Sequence, residues 1–563
     1  MKAHLLYQDH DFDFGAALPP HHEELVQDLE LPTLLEAMAL GDKFLLDVSM
    51  RVLLTSVNDP ATILYRQRVL ADCIAEPAIV REMYATAVGA LEDKRGIWGY
   101  SSQIPSSILS GAVNQLEASV VRLKDLRKIA DEHADRFHSD GLTTLFRTLQ
   151  RELDDGYFET ISYHLKRLRF RDGELISAEL DRDNSGIGFV LRSLGNGKPR
   201  WKERLGIGPR SSYSFTIPPR DEAGAQALSD LTSRGINLVA NAAAQSADHI
   251  LSYFTMLRAE LGFYVSCLNL RDRLVAKGEL TSFPQPSPWH PLRFSSTDLC
   301  DVCLALRTEN RVVGNDVDAN GKSMIIITGA NSGGKSTFLR SVGLAQLMMQ
   351  CGMFVTAEAY QASLCDGIFT HFIREEDATM ASGRLDEELS RMSAIAEQIR
   401  PHCLMLFNES FAATNEREGS EIGRQVVRAL LEAEIKVFFV THQFDFAESF
   451  HNRHAESTLF LRAERQPEGR RNYKLAVAEP LPTSFGEDLY YRLGGWLDDD
   501  RPPGPGSVEG APPATSTAAL RSNRRDEEED GFDGRSGRQL SGDGAASDGD
   551  PRLARPPDAR GAH

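Results

Sequence analysis

The sequence predicts a multidomain chain: an α-helical body with a small β-containing insertion, then an α/β domain, then a disordered C-terminal tail. Three observations predict it. Apolar residues recur at helical spacing from Leu31 to about Leu168 and again after Glu222. Strand–helix alternation sets in after the Pro-rich stretch Phe283 to Leu292 and lasts to about Gly495. From Asp498 onward the chain is rich in Pro, Gly, Ser and charge and has almost no aromatic residues, so it cannot offset the entropy of ordering.

The totals narrow the class. A chain of 563 residues is too long for one core. A hydrophobic share of 41% with 25% charged residues is that of a soluble globular protein. The net charge of -19 argues against a surface coated with positive charge, yet it permits a local basic groove. Seven irregularly spaced cysteines make no disulfide framework, which points to a reducing cytoplasm. The Cys300/Cys303 pair has no second pair or His cluster to complete a zinc site, so both are read as ordinary thiols. No signal peptide is visible at the N-terminus. No apolar run approaches the roughly 20 residues of a membrane span, so no membrane partner is expected.

Within the helical body, "LPTLLEAMALGDKFLLDVSMRVLLTSV" spaces its apolar residues by three and four. Asn58-Asp59-Pro60 and Glu76-Pro77 are breaks and helix starts. Between about Phe170 and Pro219 the period shortens: "GELISAEL", "GFVLRSL" and "SYSFTIP" read as strands. Helix resumes at Glu222 and runs through "ADHILSYFTMLRAELGFYVSCLNLRDRLVAKG".

The strongest signal is "SMIIITGANSGGKSTFLRS", where residues 329–336 fit G-x4-G-K-[ST] between an apolar strand (Met324 to Thr328) and a helix (Thr337 to Met349). Gly329, Ala330, Asn331, Ser332, Gly333 and Gly334 would bring backbone N–H groups onto phosphate oxygens. Lys335, Ser336 and Thr337 open the helix, whose N-terminus adds partial positive charge. Lys335 would reach the β- and γ-phosphates of ATP, and the Ser336 hydroxyl would ligate Mg²⁺. A second strand, Cys403 to Phe407, leads into Asn408-Glu409, where such strands usually end Asp-Glu. Glu409 would orient or deprotonate the attacking water. The helix before it places Leu389, Met392, Ile395, Ala396 and Ile399 on one face. A third strand, Val437 to Val440, ends in Thr441-His442, and His442 would bond the γ-phosphate or the water.

These residues resemble the MutS family of DNA mismatch repair ATPases. "IITGANSGGKSTFLRSVGLAQLMMQCGMFVTAEAY" is similar to that family's phosphate loop and following helix. "ASGRLDEEL" falls at its Ser-Gly-Arg signature, "NESFAATNEREG" at its Walker B and Thr-rich loop, and "VFFVTHQFD" at its sensor histidine strand. "YKLAVAEPLPTSFGEDLYYRLGG" resembles its closing segment. The helical body resembles its lever, from "DVSMRVLLTSVNDPATILYRQRVLADC" to "HILSYFTMLRAELGFYVSCLNLRDRLVAKGEL…HPL". The resemblance runs from about Leu31 to Gly495. It implies a core/lever domain at 1–300 with a clamp-like insertion at about 165–220, a P-loop (ABC-like) ATPase domain at 301–497 and a tail at 498–563. It implies a homodimer with ATP at the interface, each site completed by Ser382, Gly383 and Arg384 of the other subunit. Here Leu385 stands where a hydroxyl is expected. It implies that Asn408 takes the place of an Asp that holds Mg²⁺ through water; an Asn carbonyl accepts a hydrogen bond but brings no charge, so a slow cycle is expected.

Lever-like sequence begins near residue 31, so no mismatch-reading domain is expected ahead of it. The family's Phe-x-Glu wedge pattern occurs only at Phe407-Asn408-Glu409, Phe446-Ala447-Glu448 and Phe485-Gly486-Glu487, all inside the ATPase region. The densest basic stretches outside the tail are "YHLKRLRFRDG" and "KPRWKERLGIGPR", which read either as a solvated face or as a DNA contact. In the second reading, Lys166, Arg167, Arg169, Arg171, Arg200, Lys202, Arg204 and Arg210 would neutralise phosphates, and Phe170 and Trp201 would stack on bases. The competing function is a nucleotide-binding dimeric scaffold with little hydrolysis, recruiting an unidentified partner through its tail. An ABC or chromosome-maintenance ATPase is disfavoured, because "SGRLDEEL" lacks Leu-Ser-Gly-Gly-Gln and the arms lack sustained heptads.

Overall fold

Acidic and hydroxyl side chains start several helices of the body. In the computed structural model, which describes residues 1–95, 104–171, 173–183, 185–192, 214–374, 383–466 and 471–482, α1 is His22–Asp28, α2 Leu31–Ala39, α3 Lys43–Leu54, α4 Pro60–Ala75, α5 Pro77–Arg95, α6 Pro105–His133, α7 Asp140–Glu152 and α8 Asp155–Leu168. Asp42 caps α3 by accepting from the N–H groups of Phe44 and Leu45. Asp59 does the same for α4, with Pro60 in the first turn where no N–H is needed, and Asp154 caps α8. The breaks read at Asp59-Pro60 and Glu76-Pro77 are therefore real helix starts.

A hairpin of β1 (Leu175–Leu180) and β2 (Gly186–Arg192) follows, paired antiparallel and largely exposed. Two of the three expected strands thus form. Of "SYSFTIP", residues 212–213 lie outside the described residues, and 214–218 form no strand among the described residues. Phe215 is 81% exposed, so this run buries no apolar face that would hold it to the hairpin.

Helix α9 (Glu222–Ala276) has 55 residues and at 1.5 Å per residue is about 80 Å long. Its first turns are exposed. Gly235 lets the hairpin approach, since a Cβ there would lie 2.5 Å from Ile176 Cδ1. Its C-terminal half, including Phe254, Leu257, Leu261, Phe263 and Tyr264, is buried in the body. The N-terminal segment ahead of α1 is also core. Leu5 and Leu6 are fully buried, and the Glu260 carboxylate accepts from the N–H groups of Leu5 (2.6 Å) and Phe12 (3.3 Å).

The α/β part begins earlier than the expected boundary at 301. Strands β3 (Gln285–Ser287) and β4 (Phe294–Leu299) already belong to a four-stranded sheet of order β3-β7-β4-β5, with β5 Asn315–Asp318 and β7 Ala359–Ser363; α10 (Val302–Arg307) lies between β4 and β5. The second sheet has the order β12-β11-β6-β10-β9-β8. Its strands are β6 Met324–Gly329, β8 Ile368–Phe372, β9 Leu404–Asn408, β10 Lys436–Val440, β11 Thr458–Arg465 and β12 Arg471–Val477. All are parallel except the edge strand β12. The helices of this part are α11 Lys335–Gln350, α12 Arg384–Gln398, α13 Glu416–Glu432 and α14 Phe444–His454.

Side chains of the central strands divide between two cores with period 2. Ile325, Ile327, Leu404, Leu406, Phe438 and Val440 join the core shared with the helical body. Met324, Ile326, Met405, Phe407, Val437 and Phe439 face the other core, with Met392 and Ile395 of α12. The α12 face differs from expectation: Met392 and Ile395 are buried, whereas Leu389 and Ala396 are exposed. The buried position next to Leu389 is taken by Glu388, for a reason given below. No described helix is long and apolar enough to cross a membrane.

Candidate nucleotide site

Strands β6 and β9 flank β10, so the three loops that leave their C-terminal ends meet at one edge of the sheet. In open parallel sheets that edge is where ligands are held. The first loop, from Gly329 to the start of α11 at Lys335, turns through left-handed backbone at Gly329 (φ 102°), Ser332 (φ 55°) and Gly334 (φ 91°). Two of its glycines are also sterically required. A Cβ on Gly329 would lie 2.8 Å from the Ala463 nitrogen, and one on Gly333 would lie 2.7 Å from Ala463 Cβ and 2.8 Å from the Ala330 oxygen.

The Lys335 Nζ donates to the carbonyls of Gly329 and Ala330, each at 3.1 Å. Burial pushes its pKa down to about 8, opposed in part by the Glu409 carboxylate. Next in sequence, the Ser336 hydroxyl donates to Asn408 Oδ1 at 2.7 Å. The two residues assigned to the metal from sequence are therefore in direct contact, although 72 positions apart.

Glu409 sits just past β9 in the left-handed region (φ 56°), and its N–H donates to the Val440 carbonyl at 2.9 Å. This turn aims its side chain at the end of β10, where His442 Nε2 lies 2.8 Å from Glu409 Oε1. The hydrogen bond with His442 holds the Glu409 carboxyl below the usual carboxylate range, against the opposing effect of burial. Both side chains remain about one-third exposed, at 31% and 32%. Lys335, Ser336, Asn408, Glu409 and His442 thus form one constellation.

Sequence reasoning missed the support beneath this constellation. Glu388 of α12 reaches under the loop after Glu409, and its Oε2 accepts from the Phe411 N–H at 2.7 Å. His371 of β8 lies 2.7 Å from the Ser410 hydroxyl through Nδ1 and 2.9 Å from the Glu388 carbonyl through Nε2. Burial pushes the His371 pKa down to about 4, which keeps it neutral. Gly419 lets α13 close against the same loop, since a Cβ there would lie 2.2 Å from the Phe411 carbonyl oxygen. Arg471 of β12 was also missed: its Nε donates to the Asn331 carbonyl at 3.2 Å, adding a cation beside the loop. It follows Gln-Pro-Glu-Gly-Arg in a polar stretch with no motif of its own.

Of the trans signature, Gly383 caps α12 and Arg384 is its first residue, while Ser382 lies outside the described residues. At the end of α8 and in the turn into the β1–β2 hairpin, here the tip of the helical arm, Lys166, Arg167 and Arg171 are exposed. Arg167 leans over the Tyr163 ring and donates to its hydroxyl at 2.9 Å. Two expectations change here. Arg169 is ion-paired with Glu117 at 2.5 Å, so its charge is already answered within the chain. Phe170 packs against the core of the body, which takes its ring away from base stacking. Arg200, Trp201, Lys202, Arg204 and Arg210 lie outside the described residues. All seven cysteines are free and buried. Cys300 and Cys303, both pushed up to about 12 by burial, contact Glu279 and the backbone of Leu29 and Glu30, in keeping with ordinary thiols.

Two family models match the chain. The MutS2 N-terminal domain matches residues 58–277, the helical body from α4 to the end of α9, and MutS domain V matches residues 325–486, from β6 onward. Among curated proteins, the DNA mismatch repair protein MutS of Chloroflexus aurantiacus is 25% identical over 75% of this chain and 41% of its own length. The Endonuclease MutS2 of Lactobacillus acidophilus is 26% identical over 53% of this chain and 40% of its own. The DNA mismatch repair protein MutS of Thermus aquaticus is 30% identical over 32% of this chain and 22% of its own. The chain spans about two-fifths of the length of the first two relatives. Two domain matches in chain order, falling on the body and on the sheet that carries the loops, establish that this chain belongs to the MutS family.

Proposed function

We propose that this chain is a DNA-acting ATPase of the MutS type. ATP would be hydrolysed at the edge of the six-stranded sheet, and the nucleotide state would move the helical arm against DNA. The observation that carries the reading is the convergence of Lys335, Ser336–Asn408 and Glu409–His442 on one strand edge.

The loop fits a polyphosphate. Gly329 and Gly333 let the loop pack tightly against Ala463 while it turns through left-handed backbone, a conformation in which successive N–H groups can face an anion. The donor set also fits a hard cation, with two neutral oxygens, Ser336 Oγ and Asn408 Oδ1, side by side. When bound, Mg²⁺ supplies charge neutralisation on the phosphate oxygens. Lys335, ionised below about pH 8, would swing from the loop carbonyls to phosphate oxygens. Glu409, ionised at neutral pH, would orient the attacking water and accept its proton. His442 fixes the direction of that carboxylate through the 2.8 Å contact. Gly383 and Arg384, at the exposed start of α12, would complete the site of a second copy of the chain in a homodimer, and Glu388 on the same helix would pass the engagement to the Glu409 loop.

Lys166, Arg167 and Arg171 would meet DNA through its phosphates, without reading sequence. The names of the relatives support DNA as partner, since two are DNA mismatch repair proteins and one an endonuclease. A cytoplasmic location and mismatch repair or a MutS2-type process are the settings this reading implies. The test is single-turnover hydrolysis by wild type, Lys335→Ala and Glu409→Gln, with and without branched, looped and single-stranded DNA. Turnover absent from both variants and altered by at least one DNA form is expected; indifference to every DNA form would remove the DNA half of the reading. The second reading, a nucleotide-binding scaffold, is favoured by one observation: the neutral Asn408 engages Ser336 where a charged group would bind metal more strongly. Wild-type protein that binds ATP but shows no hydrolysis above the background of a Glu409→Gln control would support it.

A further inference from the structure

Among the described residues, one group of three metal-ligating side chains lies close together: His290, His402 and Glu434, whose ligand atoms are all within 4.8 Å of one another. They come from three loops far apart in sequence. His290 lies between β3 and β4, His402 just ahead of β9, and Glu434 between α13 and β10. Strands β9 and β10 are parallel neighbours, with Leu404 opposite Lys436, so the loops entering them sit side by side. The β3–β4 connection comes over from the four-stranded sheet. The group lies at the N-terminal ends of these strands. The Asn408 end lies the whole length of β9 away, Leu404–Asn408, about 13 Å at the usual strand rise.

The geometry is that of a partly built chelate. His402 Nε2 and Glu434 Oε2 are 3.2 Å apart. Ligands at 2.0–2.1 Å from a tetrahedral zinc ion are separated by about 3.3 Å. The His290 ring stands nearly perpendicular to the His402 ring at a centroid distance of 5.9 Å, and Trp289 lies against His402 at 5.1 Å. His402 is pinned by its backbone as well. Its N–H donates to the Glu434 carbonyl (3.0 Å), and its carbonyl accepts from the Asp366 N–H (2.9 Å). It holds a left-handed φ of 67°, uncommon for a residue with a side chain. The imidazole is thus presented beside the carboxylate by packing and backbone together, as a ligand would need.

We propose that His290, His402 and Glu434 bind one divalent transition-metal ion, for which Zn²⁺ is the fitting member. Two imidazole nitrogens and one carboxylate oxygen suit zinc and disfavour Mg²⁺, which prefers oxygen ligands and keeps its waters. Three protein ligands leave a fourth position for water. The ion ties the β3–β4 connection of one sheet to the entry loops of the other. It is separate from the nucleotide edge, and its chemistry does not depend on Lys335, Ser336 or Asn408.

The test uses the full-length protein stripped of metal, with Mg²⁺ in excess to occupy oxygen sites. Zn²⁺ is titrated by calorimetry, and Co²⁺ by its visible absorption. The expected result is one ion per chain, a cobalt spectrum without thiolate charge transfer, and a melting temperature that rises with Zn²⁺. His290→Ala and Glu434→Gln, both exposed loop positions, are expected to weaken binding more than about tenfold while circular dichroism stays that of wild type. Cys300→Ser is expected to leave binding unchanged. Absence of a stoichiometric site in wild type, affinity unchanged in both His290→Ala and Glu434→Gln, or thiolate absorption with Co²⁺ would each overturn the proposal.

Discussion

The nucleotide edge and the tip of the arm place their charges in opposite ways. At the edge, β6 and β10 are buried along their whole length, and the loops that leave them are locked by contacts a few ångströms long. At the tip, β1 and β2 are mostly exposed, and Lys166 and Arg171 project from the solvent side of the end of α8, whose Leu165 packs into the body, and from the turn after it. Chemistry needs groups held to within fractions of an ångström, and a buried frame supplies that. Contact with a phosphate backbone needs charge and reach, and an open tip supplies those. The same net-acidic chain therefore separates precision from charge.

The largest expected effect breaks the edge alone. Glu409→Gln keeps the size of the side chain and removes the proposed base, so single-turnover hydrolysis should fall by about 10² to 10⁴. Nucleotide affinity and DNA affinity in the absence of hydrolysis should stay near wild type. If rapid-mixing assays show hydrolysis within a few-fold of wild type, the water-activating role does not belong to Glu409.

The matching test at the tip should be smaller and should depend on salt. Each cation that meets a phosphate contributes about 0.9 to the slope of log affinity against log salt. Replacing Lys166, Arg167 and Arg171 together with Ala should lower that slope and leave DNA-free hydrolysis unchanged. Arg169→Ala should alter the slope least, because Glu117 already answers its charge. Fluorescence anisotropy across a salt series reads both. An Arg169 effect as large as that of Arg171 would contradict the reading that Glu117 answers the charge of Arg169.

What could be read from the sequence divides along the same line. The loop proposed for phosphate was marked in the sequence because glycine, lysine and serine recur there at fixed local spacing. The pairing of Ser336 with Asn408 was legible only through motif order, since nothing local joins residues 72 apart. Glu388 was not legible: on a helix whose apolar face otherwise reads Met392 and Ile395, a buried carboxylate makes sense only once the Phe411 N–H lies above it. The same holds for residues 1–12, whose Leu5 and Phe12 N–H groups meet Glu260, some 250 positions later in the chain. At the tip, composition marked the basic stretch correctly but could not tell Arg169, paired, from Arg171, unpaired among the described contacts.

Lys335 gives the edge a pH signature the tip lacks. Its pKa of about 8 in the free protein reflects burial. Phosphates beside it favour the ammonium and raise that value in the complex. The complex then binds more protons than the free protein, so affinity for ATP should fall as pH rises through about 8, with proton uptake on binding there. Calorimetry in buffers of different ionisation enthalpy measures the uptake directly. No uptake between pH 7.5 and 9, a window that brackets the free value of about 8, would mean that Lys335 does not reach the phosphates.

The smallest expected effect concerns the one position where the edge gives up charge. Asn408 accepts the Ser336 proton at 2.7 Å but offers a metal ion, or a water on it, only a neutral carbonyl. In Asn408→Asp the same atom carries part of a full negative charge, and the Ser336 hydroxyl donates to a stronger acceptor. Through an intervening water the gain should be of the order of 1 kcal/mol, well below the direct Coulomb figure for two bare charges. The Mg²⁺ concentration for half-maximal hydrolysis should therefore drop about fivefold, while the maximal rate, set by Glu409, should move less. An unchanged Mg²⁺ midpoint would mean that Asn408 serves only to hold Ser336 in place. In that case the 2.7 Å contact marks a fold-stabilising bond between the start of α11 and the end of β9, and the edge would owe its metal affinity to Ser336 and the phosphates alone.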